Sequence, residues 1–235
     1  PAKVLTLALS DVLGDRPEMI ASGPSWPDPA PPSAALSLAK KYHLRCSPQC
    51  LQLLGLPAVS QLSNTEYHII GSVKQLCATA SEKLQSLGYR CIFLTDCLSC
   101  QARDAGAYLA AIARSQQDLT RSTAYIAGGE TVVRVTGHGK GGRNQELALS
   151  AALGIRGLRD TAVFSLGSDG TDGPTDAAGG FVTGESADTL YRLGTDPVAA
   201  LAENNAYHAL SRCGGLLFTG PTGTNVNDLS VLLIH

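Results

Sequence analysis

The chain has 235 residues, of which 44% are hydrophobic and 16% charged, enough for one large domain or two small ones. Its formal net charge is only −2, which argues against nucleic acids and anionic membrane surfaces as partners. Its apolar runs fall far short of the roughly 20 residues of a membrane-spanning helix, so the sequence predicts neither a membrane anchor nor a secretory signal. Seven cysteines, an odd number, favour a reducing compartment and a cytoplasmic location. A small molecule is the expected ligand.

The amino-terminal half predicts a layer of alternating strands and helices. Residues 3–9 form a short apolar run that is typical of a buried strand. The segment 14–32 is too rich in proline and glycine for regular structure. From residue 66 to Gly129 the pattern follows a βαβαβ rhythm, which predicts a Rossmann-like, mostly parallel sheet covered by helices. Because the chain opens at Pro1 in a strand-like run and its only methionine is internal, we expect a fragment of a longer reading frame.

Beyond Thr131 the composition changes to glycine-rich loops that separate short elements. We place a domain boundary near Arg121, so that residues 1–121 belong to an incomplete amino-terminal α/β domain and residues 122–235 to a smaller α/β domain. Three helices are expected between residues 186 and 213. The other predicted elements are a strand at 132–135, a helix at 144–155, and strands at 162–166, 216–219 and 229–234.

A glycine-rich segment at residues 137–146 (GHGKGGRNQE) lies between a predicted strand and a predicted helix. Glycines let backbone N–H groups face an anion, and the helix amino terminus adds positive potential. Lys140 and Arg143 add full positive charges. The segment therefore predicts a phosphate site, and the alternative is a tight glycine turn with a solvated basic flank.

The same glycines also satisfy a dinucleotide-binding fingerprint, since Gly137, Gly139 and Gly142 follow the G-x-G-x-x-G spacing. Asp169 ends the next predicted strand, where a ribose-binding acid would be expected. Against this interpretation, bulky polar and charged residues from Arg143 onward occupy the first helical turn, where close packing on the sheet is needed. A nicotinamide-dependent enzyme remains an open alternative.

Three aspartates follow the strand that ends near Leu166. Asp169, Asp172 and Asp176 are spaced by three and four residues, with hydroxyl side chains between them, and carboxylates in such a loop can hold Mg²⁺ directly or through water. They could equally cap turns.

A further acidic segment, which includes Ser10 and Asp11, lies at the carboxyl end of the first strand, where open α/β sheets place ligand-binding residues. Cys97 and Cys100 form a CxxC motif before a helix, which leaves thiol redox chemistry as another alternative.

Taken together, several segments resemble the glycerate kinase family that carries a MOFRL domain. The match runs in order along almost the whole chain, so it is more specific than any single glycine loop. The matching segments are SDVLGD and ASGPS within residues 10–25, GGET at 128–131, GGRNQELAL at 141–149, SDGTDGPTDAAG at 168–179 and GPTGTNVNDL at 220–229.

The resemblance implies an α/β amino-terminal domain, a smaller carboxy-terminal domain, and transfer of the ATP γ-phosphoryl group to D-glycerate with Mg²⁺. It places the catalytic aspartate on Asp11 and the catalytic arginine on Arg143. Arg143 would stabilise charge on the phosphoryl group or bind the carboxylate, and Asp11 would orient or deprotonate the attacking hydroxyl. Asp169, Asp172 and Asp176 are assigned to the metal or to substrate hydroxyls. The residues expected to bind substrate or nucleotide are Ser10, Lys140, Gly141, Gly142, Asn144, Glu146, Thr222 and Asn225.

The sequence departs from the family in several respects. Family members are roughly twice as long and carry an upstream glycine-rich segment and a catalytic lysine, which this chain lacks, so we expect the chain alone to turn over poorly. Lys140 stands where many members have arginine, and Gln101 where a glutamate is common. The expected product is a phosphoglycerate, with 2-phosphoglycerate favoured. The alternatives are an NAD(P)-dependent hydroxypyruvate reductase and a noncatalytic ligand-binding fragment; a homodimer is one option for the assembly.

Overall fold

The computed structural model describes residues 2–57, 59, 61–117 and 120–235, so Pro1, on which the expectation of a fragment partly rests, lies outside the described residues. The chain divides into two compact units. The first unit contains residues 2–8 and Asp15–Ile70, and the second contains Leu9–Gly14 and Gly71–His235. The domain boundary expected near Arg121 is a different division of the chain, and it stays a prediction.

The first unit is built around a two-stranded sheet. Strand β1 (Val4–Leu9) pairs with β2 (Thr65–Gly71), and two helices, α1 (Pro32–Lys41) and α2 (Pro48–Leu54), lie between them in the chain. Helix α2 begins after Ser47, whose hydroxyl accepts a hydrogen bond of 3.1 Å from the Cys50 amide, as an N-cap residue should.

The second unit contains a six-stranded sheet with the order β3-β4-β8-β5-β6-β7. Its central strands, β4, β8 and β5, alternate their side chains between two layers of helices. The bounds are β3 (Arg90–Leu98), β4 (Thr123–Gly129), β5 (Thr161–Gly167), β6 (Gly179–Thr183), β7 (Leu216–Leu217) and β8 (Asp228–Ile234). The strand expected at 132–135 is absent from the described residues there, where only Val132 forms an isolated bridge with Gln101.

The α/β class is confirmed, but the strand directions differ from the predicted mostly parallel sheet. Strands β3 and β4 are parallel, whereas β8 is antiparallel to both β4 and β5. Ile234 lies opposite Thr123 on one side and Thr161 on the other, so β4 and β5 do run in the same direction. The βαβ rhythm between residues 66 and 129 predicts the parallel pairing of β3 and β4. It cannot predict that β8, which is buried on both faces, inserts between β4 and β5 from the far end of the chain.

Helices cover both faces of this sheet. Helices α4 and α5 pack on one face with Tyr125 and Leu232, and α3 packs on the other face with Ile126 and Val231. Gly106 allows α4 to approach α5 closely, because a Cβ there would lie 2.2 Å from the Leu147 carbonyl oxygen. The helices are α3 (Val73–Ser86), α4 (Ala102–Ser115), α5 (Arg143–Gly154), α6 (Ser186–Arg192), α7 (Pro197–Ala202) and α8 (Ala206–Arg212).

None of the helices formed by the described residues is long and apolar enough to cross a membrane.

Candidate active site

One edge of the six-stranded sheet brings together the chain segments that the sequence singles out. Strands β4 and β5 end there at Gly129 and Gly167, and β8 begins there at Asp228, which lies opposite both glycines. The segments that follow β4 and β5, and the amino end of α5, therefore meet around the first residue of β8. Asp228 occupies the middle of this edge because its strand lies between the other two.

Arg143, the first residue of α5, is held by two carboxylates at this edge. Its Nε donates to Asp228 Oδ2 at 2.6 Å, and its Nη2 donates to Asp228 Oδ1 at 3.0 Å. Its Nη1 donates to Glu130 Oε1 at 2.7 Å. A guanidinium has five N–H donors, so these three bonds fix its plane and leave two N–H groups for a ligand.

Burial and charge act in opposite directions on this ion pair. The Asp228 side chain is 6% exposed and that of Arg143 is 33% exposed. Burial raises the pKa of the Asp228 carboxyl, and the hydrogen bonds from Arg143 offset only part of that rise. Burial lowers the pKa of Arg143, but Asp228 and Glu130 more than reverse this, so the pKa is raised and the guanidinium stays charged.

Asp172, from the loop after β5, caps the amino terminus of α5. Its Oδ1 accepts from the Asn144 amide at 3.1 Å and its Oδ2 accepts from the Gln145 amide at 2.8 Å. Gly142 makes this approach feasible, because a Cβ there would lie 2.2 Å from the Asp172 carboxyl carbon. Burial raises the pKa of Asp172 to about 6, although the two amide hydrogen bonds lower it. The anion at this helix terminus is therefore a side chain of the protein.

The glycine-rich loop before α5 directs several of its amides to the connection between α7 and α8. The Gly137 amide donates to Asn204 Oδ1 at 2.9 Å, and the Gly139 amide donates to the Glu203 carbonyl at 2.8 Å. The Lys140 amide donates to Asn205 Oδ1 at 3.1 Å. This part of the loop is thus a hydrogen-bonded turn, and these amides are not available to cradle a phosphate as expected.

A cavity of about 660 Å³ lies beside Arg143, within the second unit. Apolar side chains form one part of its wall, and charged or polar groups form another. The lining includes Leu13, Glu130, Thr131, Val132, Val133, Val135, Gly139, Gly141, Gly142, Arg143, Glu146, Gly173, Pro174 and Asn204. An apolar cavity with a few convergent polar groups is the usual form of a small-molecule site.

Asp11 joins this network through Asn227. Asn227 Nδ2 donates to the Asp11 carbonyl at 2.8 Å and to Glu130 Oε2 at 3.3 Å. Since Glu130 also binds Arg143, Asn227 links the segment of the proposed catalytic aspartate to that of the proposed catalytic arginine. Ser10 is buried, and its hydroxyl donates to the Val12 carbonyl at 3.3 Å.

Two predicted ligand-binding residues of α5 are used inside the protein. Asn144 Oδ1 accepts from the Ser165 hydroxyl and so ties α5 to β5. Glu146 is buried, and its carboxylate accepts from Arg103 at 3.2 Å and from Asn204 at 3.0 Å. Glu146 still lines the cavity, but its charge is already balanced by Arg103.

The remaining predicted binding residues contact other residues of the protein, mostly within loops. The Thr222 hydroxyl donates to the Ser168 carbonyl at 2.6 Å, and Asn225 Oδ1 accepts from the Asn227 amide at 3.2 Å. The Lys140 ammonium lies 4.4 Å from the centre of the Tyr207 ring.

The structure does not bring the three predicted metal ligands into one site. Asp169 accepts from the amide and hydroxyl of Thr171, Asp172 caps α5, and Asp176 accepts from the Tyr207 hydroxyl at 2.7 Å. Across the residues that the structure describes, no group of three or more His, Cys, Asp or Glu side chains is placed to hold a metal ion. The turn-capping alternative describes Asp169 and Asp172 better than a shared Mg²⁺ site does.

Sequence reasoning missed four residues of this site: Glu130, Asn204, Asn227 and Asp228. Glu130 and the pair Asn227–Asp228 lie in the segments GGET and GPTGTNVNDL, so their positions were marked but their roles were not. Asn204 adopts a left-handed backbone conformation (φ 51°) and accepts from two loop amides, which no local pattern indicates.

Two family models match the chain. The MOFRL family matches residues 123–228, and a domain of unknown function, DUF4147, matches residues 1–55.

Relatives and a solved structure agree with these matches. A D-glycerate 2-kinase from Thermotoga maritima is 48% identical over 100% of this chain and 57% of its own length. A crystal structure of glycerate kinase from the same organism matches with a TM-score of 0.96 at 48% identity, over 100% of this chain and 58% of that one. A glycerate kinase from Macaca fascicularis is 32% identical over 100% of this chain and 73% of its own length. A putative hydroxypyruvate reductase from Agrobacterium vitis is 34% identical over 100% of this chain and 63% of its length.

The chain spans little more than half the length of the Thermotoga relative. The order of the matched segments, the coverage of the Macaca relative and the near-identical fold agree with the resemblance drawn from the sequence. The chain therefore belongs to the glycerate kinase family that carries a MOFRL domain.

Proposed function

We propose that this chain is part of an ATP-dependent kinase that phosphorylates D-glycerate. The observation that carries the proposal is the fixed guanidinium of Arg143, which lines a cavity and keeps two N–H donors free of its two carboxylate partners. A charged, immobile donor pair suits either the transferred phosphoryl group or the substrate carboxylate.

The arginine and the aspartate have different tasks in this proposal. Arg143 stabilises negative charge, and it is already oriented before the ligand arrives, so little reorganisation is needed. Asp11 orients the attacking hydroxyl or accepts its proton, and Asn227 anchors its backbone close to Glu130. Both residues belong to the second unit; Arg143 is positioned at the sheet edge by its carboxylate partners, and Asp11 by the hydrogen bond to its backbone carbonyl.

Magnesium belongs to the proposal as the partner of ATP. The three aspartates predicted as its ligands do not fit a common site, because Asp172 uses both carboxylate oxygens on backbone amides and Asp169 bonds Thr171. We therefore derive no step through the ion. The favoured product is 2-phosphoglycerate, by analogy with the D-glycerate 2-kinase from Thermotoga. A cytoplasmic location is part of the same proposal and rests on the odd number of cysteines in the sequence.

A hydroxypyruvate reductase is the second candidate, because the Agrobacterium relative is named as one. The geometry disfavours it. The dinucleotide fingerprint needs a strand directly before its glycines, but β4 ends at Gly129 and residues 133–136 form no strand. Moreover, Gly142 gives room to the Asp172 carboxylate, and the Gly137 amide already bonds Asn204.

The test is phosphoryl transfer from ATP to D-glycerate with Mg²⁺ by the full-length gene product. Arg143→Ala and Asp11→Ala should each lower kcat by about 10²-fold or more, with folding intact. Arg156→Ala is a matched control, because Arg156 pairs with Asp188 on the surface and should leave kcat unchanged. Phosphorus NMR identifies the phosphoglycerate. NAD(P)H-dependent reduction of hydroxypyruvate without kinase turnover would overturn the proposal.

A further inference from the structure

The hydroxyl of Thr131 is buried at the wall of the cavity without a hydrogen-bond partner. Thr131 is 5% exposed, and its Oγ1 has no partner among the described residues. A buried polar group left unpaired costs about 1–3 kcal/mol, so such groups are rare in folded proteins and call for an explanation. Thr131 is also one of the residues that line the cavity, which makes a bound ligand the candidate partner.

The backbone on both sides of Thr131 is fixed by hydrogen bonds. The Glu130 amide donates to the Leu98 carbonyl at 2.8 Å, and the Val132 amide donates to the Cys100 carbonyl at 3.1 Å. The Val132 carbonyl in turn accepts from the Ala102 amide at 2.9 Å. Three hydrogen bonds thus tie this short segment to the end of β3 and the start of α4.

The charges around the cavity indicate what the hydroxyl binds. Two carboxylates line the cavity, but Glu130 is paired with Arg143, and Glu146 is paired with Arg103. In the same lining, Arg143 keeps two N–H donors and Thr131 keeps its hydroxyl. Thr131 directly follows Glu130, the partner of Arg143, and N–H and O–H donors of this kind favour an oxygen that carries negative charge.

We propose that the Thr131 hydroxyl is a specificity-determining group, which donates a hydrogen bond to an anionic oxygen of the ligand. That oxygen belongs to the carboxylate of the hydroxy acid or to a phosphoryl group of the nucleotide. The inference rests on the proposed function and deepens it, since it names a second donor beside Arg143 in the same cavity.

Thr131→Val tests this inference, because valine keeps the shape of threonine and removes only the hydroxyl. Since no protein atom is bonded to that hydroxyl, the variant should melt at the same temperature as the unaltered protein or higher. Ligand affinity should fall roughly tenfold or more, as expected for a lost hydrogen bond to a charged group. Thr131→Ser keeps the hydroxyl and should restore most of the affinity.

Thr123→Val is a matched control at the opposite end of β4. Thr123 is also buried, but its hydroxyl donates to the Arg121 carbonyl at 2.9 Å. Its loss should lower the melting temperature and leave the ligand affinity unchanged.

Calorimetric titration of the full-length gene product gives the dissociation constants in separate arms: D-glycerate alone, glycerol alone, ATP with Mg²⁺, and inorganic phosphate. A loss of affinity confined to D-glycerate assigns the contact to the carboxylate. Glycerol, which lacks the carboxylate, should show no such loss. A loss confined to ATP and phosphate assigns the contact to a phosphoryl oxygen. Equal dissociation constants for Thr131→Val and the unaltered protein, in arms that the unaltered protein binds, overturn the inference alone. Absence of binding by the unaltered protein in every arm overturns the proposed function with it.

Discussion

The two units of the chain bury their apolar side chains to very different degrees. In the second unit, two hydrophobic clusters fill both faces of the sheet, and leucines such as Leu147 and Leu232 are fully buried. In the first unit, Leu5, Leu7 and Leu53 are all more than half exposed. The two-stranded sheet and short helices of the first unit therefore gain little from burial, because apolar area removed from water is the main favourable contribution to folding.

This difference indicates where the candidate site obtains its rigidity. Glu130, Arg143 and Asp228 lie in the second unit at the edge of a sheet with packed faces, and Asp11, of the same unit, is bonded to this edge through its backbone carbonyl. Regions with few buried contacts open at lower free energy than packed cores. We expect the first unit to open before the sheet edge that carries the site is disturbed.

The largest expected effect comes from a matched pair of leucine truncations. Leu147→Ala in α5 should lower the free energy of unfolding by about 3–4 kcal/mol, because a fully buried side chain leaves a cavity. Leu53→Ala in α2 should change it by less than about 0.5 kcal/mol, because Leu53 is 67% exposed.

Urea unfolding followed with two probes separates the units in this experiment. The single tryptophan, Trp26, packs edge-on against Tyr67 at 5.5 Å and reports on the first unit, whereas circular dichroism is dominated by the helices of the second. Equal losses for the two leucine variants would contradict the comparison.

The next effect concerns the ion pairs of the two units. Asp228→Ala should lower the free energy of unfolding by about 2–3 kcal/mol, because the half-buried guanidinium of Arg143 loses a bidentate partner. It should also reduce kcat, since the guanidinium is no longer oriented. Glu18→Ala removes the partner of Arg16 in the first unit and should have little effect, because Arg16 is largely in solvent.

The readout combines urea unfolding with the kinase assay, and Asp228→Asn, which keeps one oxygen acceptor, should give an intermediate kcat. A stable Asp228→Ala protein with unchanged kcat would show that Arg143 needs no partner for its position.

Local patterns could predict several elements of the second unit, because those elements depend on short-range periodicity. The helix predicted at 144–155 is observed at Arg143–Gly154, and the strand predicted at 162–166 is observed at Thr161–Gly167. The place of β8 could not be predicted, since its neighbours β4 and β5 are far from it in the chain.

For the candidate site, too, local sequence patterns predict the position of a residue but not its partners from distant parts of the chain. The glycine-rich segment and the helix predicted after it place Arg143 at a helix amino terminus, and the structure shows it there. Its carboxylate partner Asp228 is 85 residues away, and the acceptors of the loop amides lie on the α7–α8 connection. No spacing rule connects these positions. The catalytic roles of Asp11 and Arg143 stay predictions.

The smallest of the three expected effects is a pH dependence of the free energy of unfolding. It should arise from the helix cap of the second unit and not from that of the first. Asp172 caps α5 with a carboxylate whose pKa is raised to about 6, whereas Ser47 caps α2 with a hydroxyl that does not titrate in this range. Because the folded state holds the Asp172 proton more tightly than the unfolded chain does, the contribution of this group to stability is greatest below about pH 4 and falls as pH rises to about 6. The expected fall from this group is on the order of 2 kcal/mol.

Asp172→Asn should remove that part of the pH dependence, whereas Ser47→Ala should cost about 1 kcal/mol or less at every pH. Burial also raises the pKa of Asp228, which adds a slope of the same sign, so the informative quantity is the difference between Asp172→Asn and the unaltered protein. Urea unfolding at intervals between about pH 4 and pH 7 measures it. If the free energy of unfolding falls equally for both proteins across this range, the pKa of Asp172 is not raised by burial at the amino end of α5.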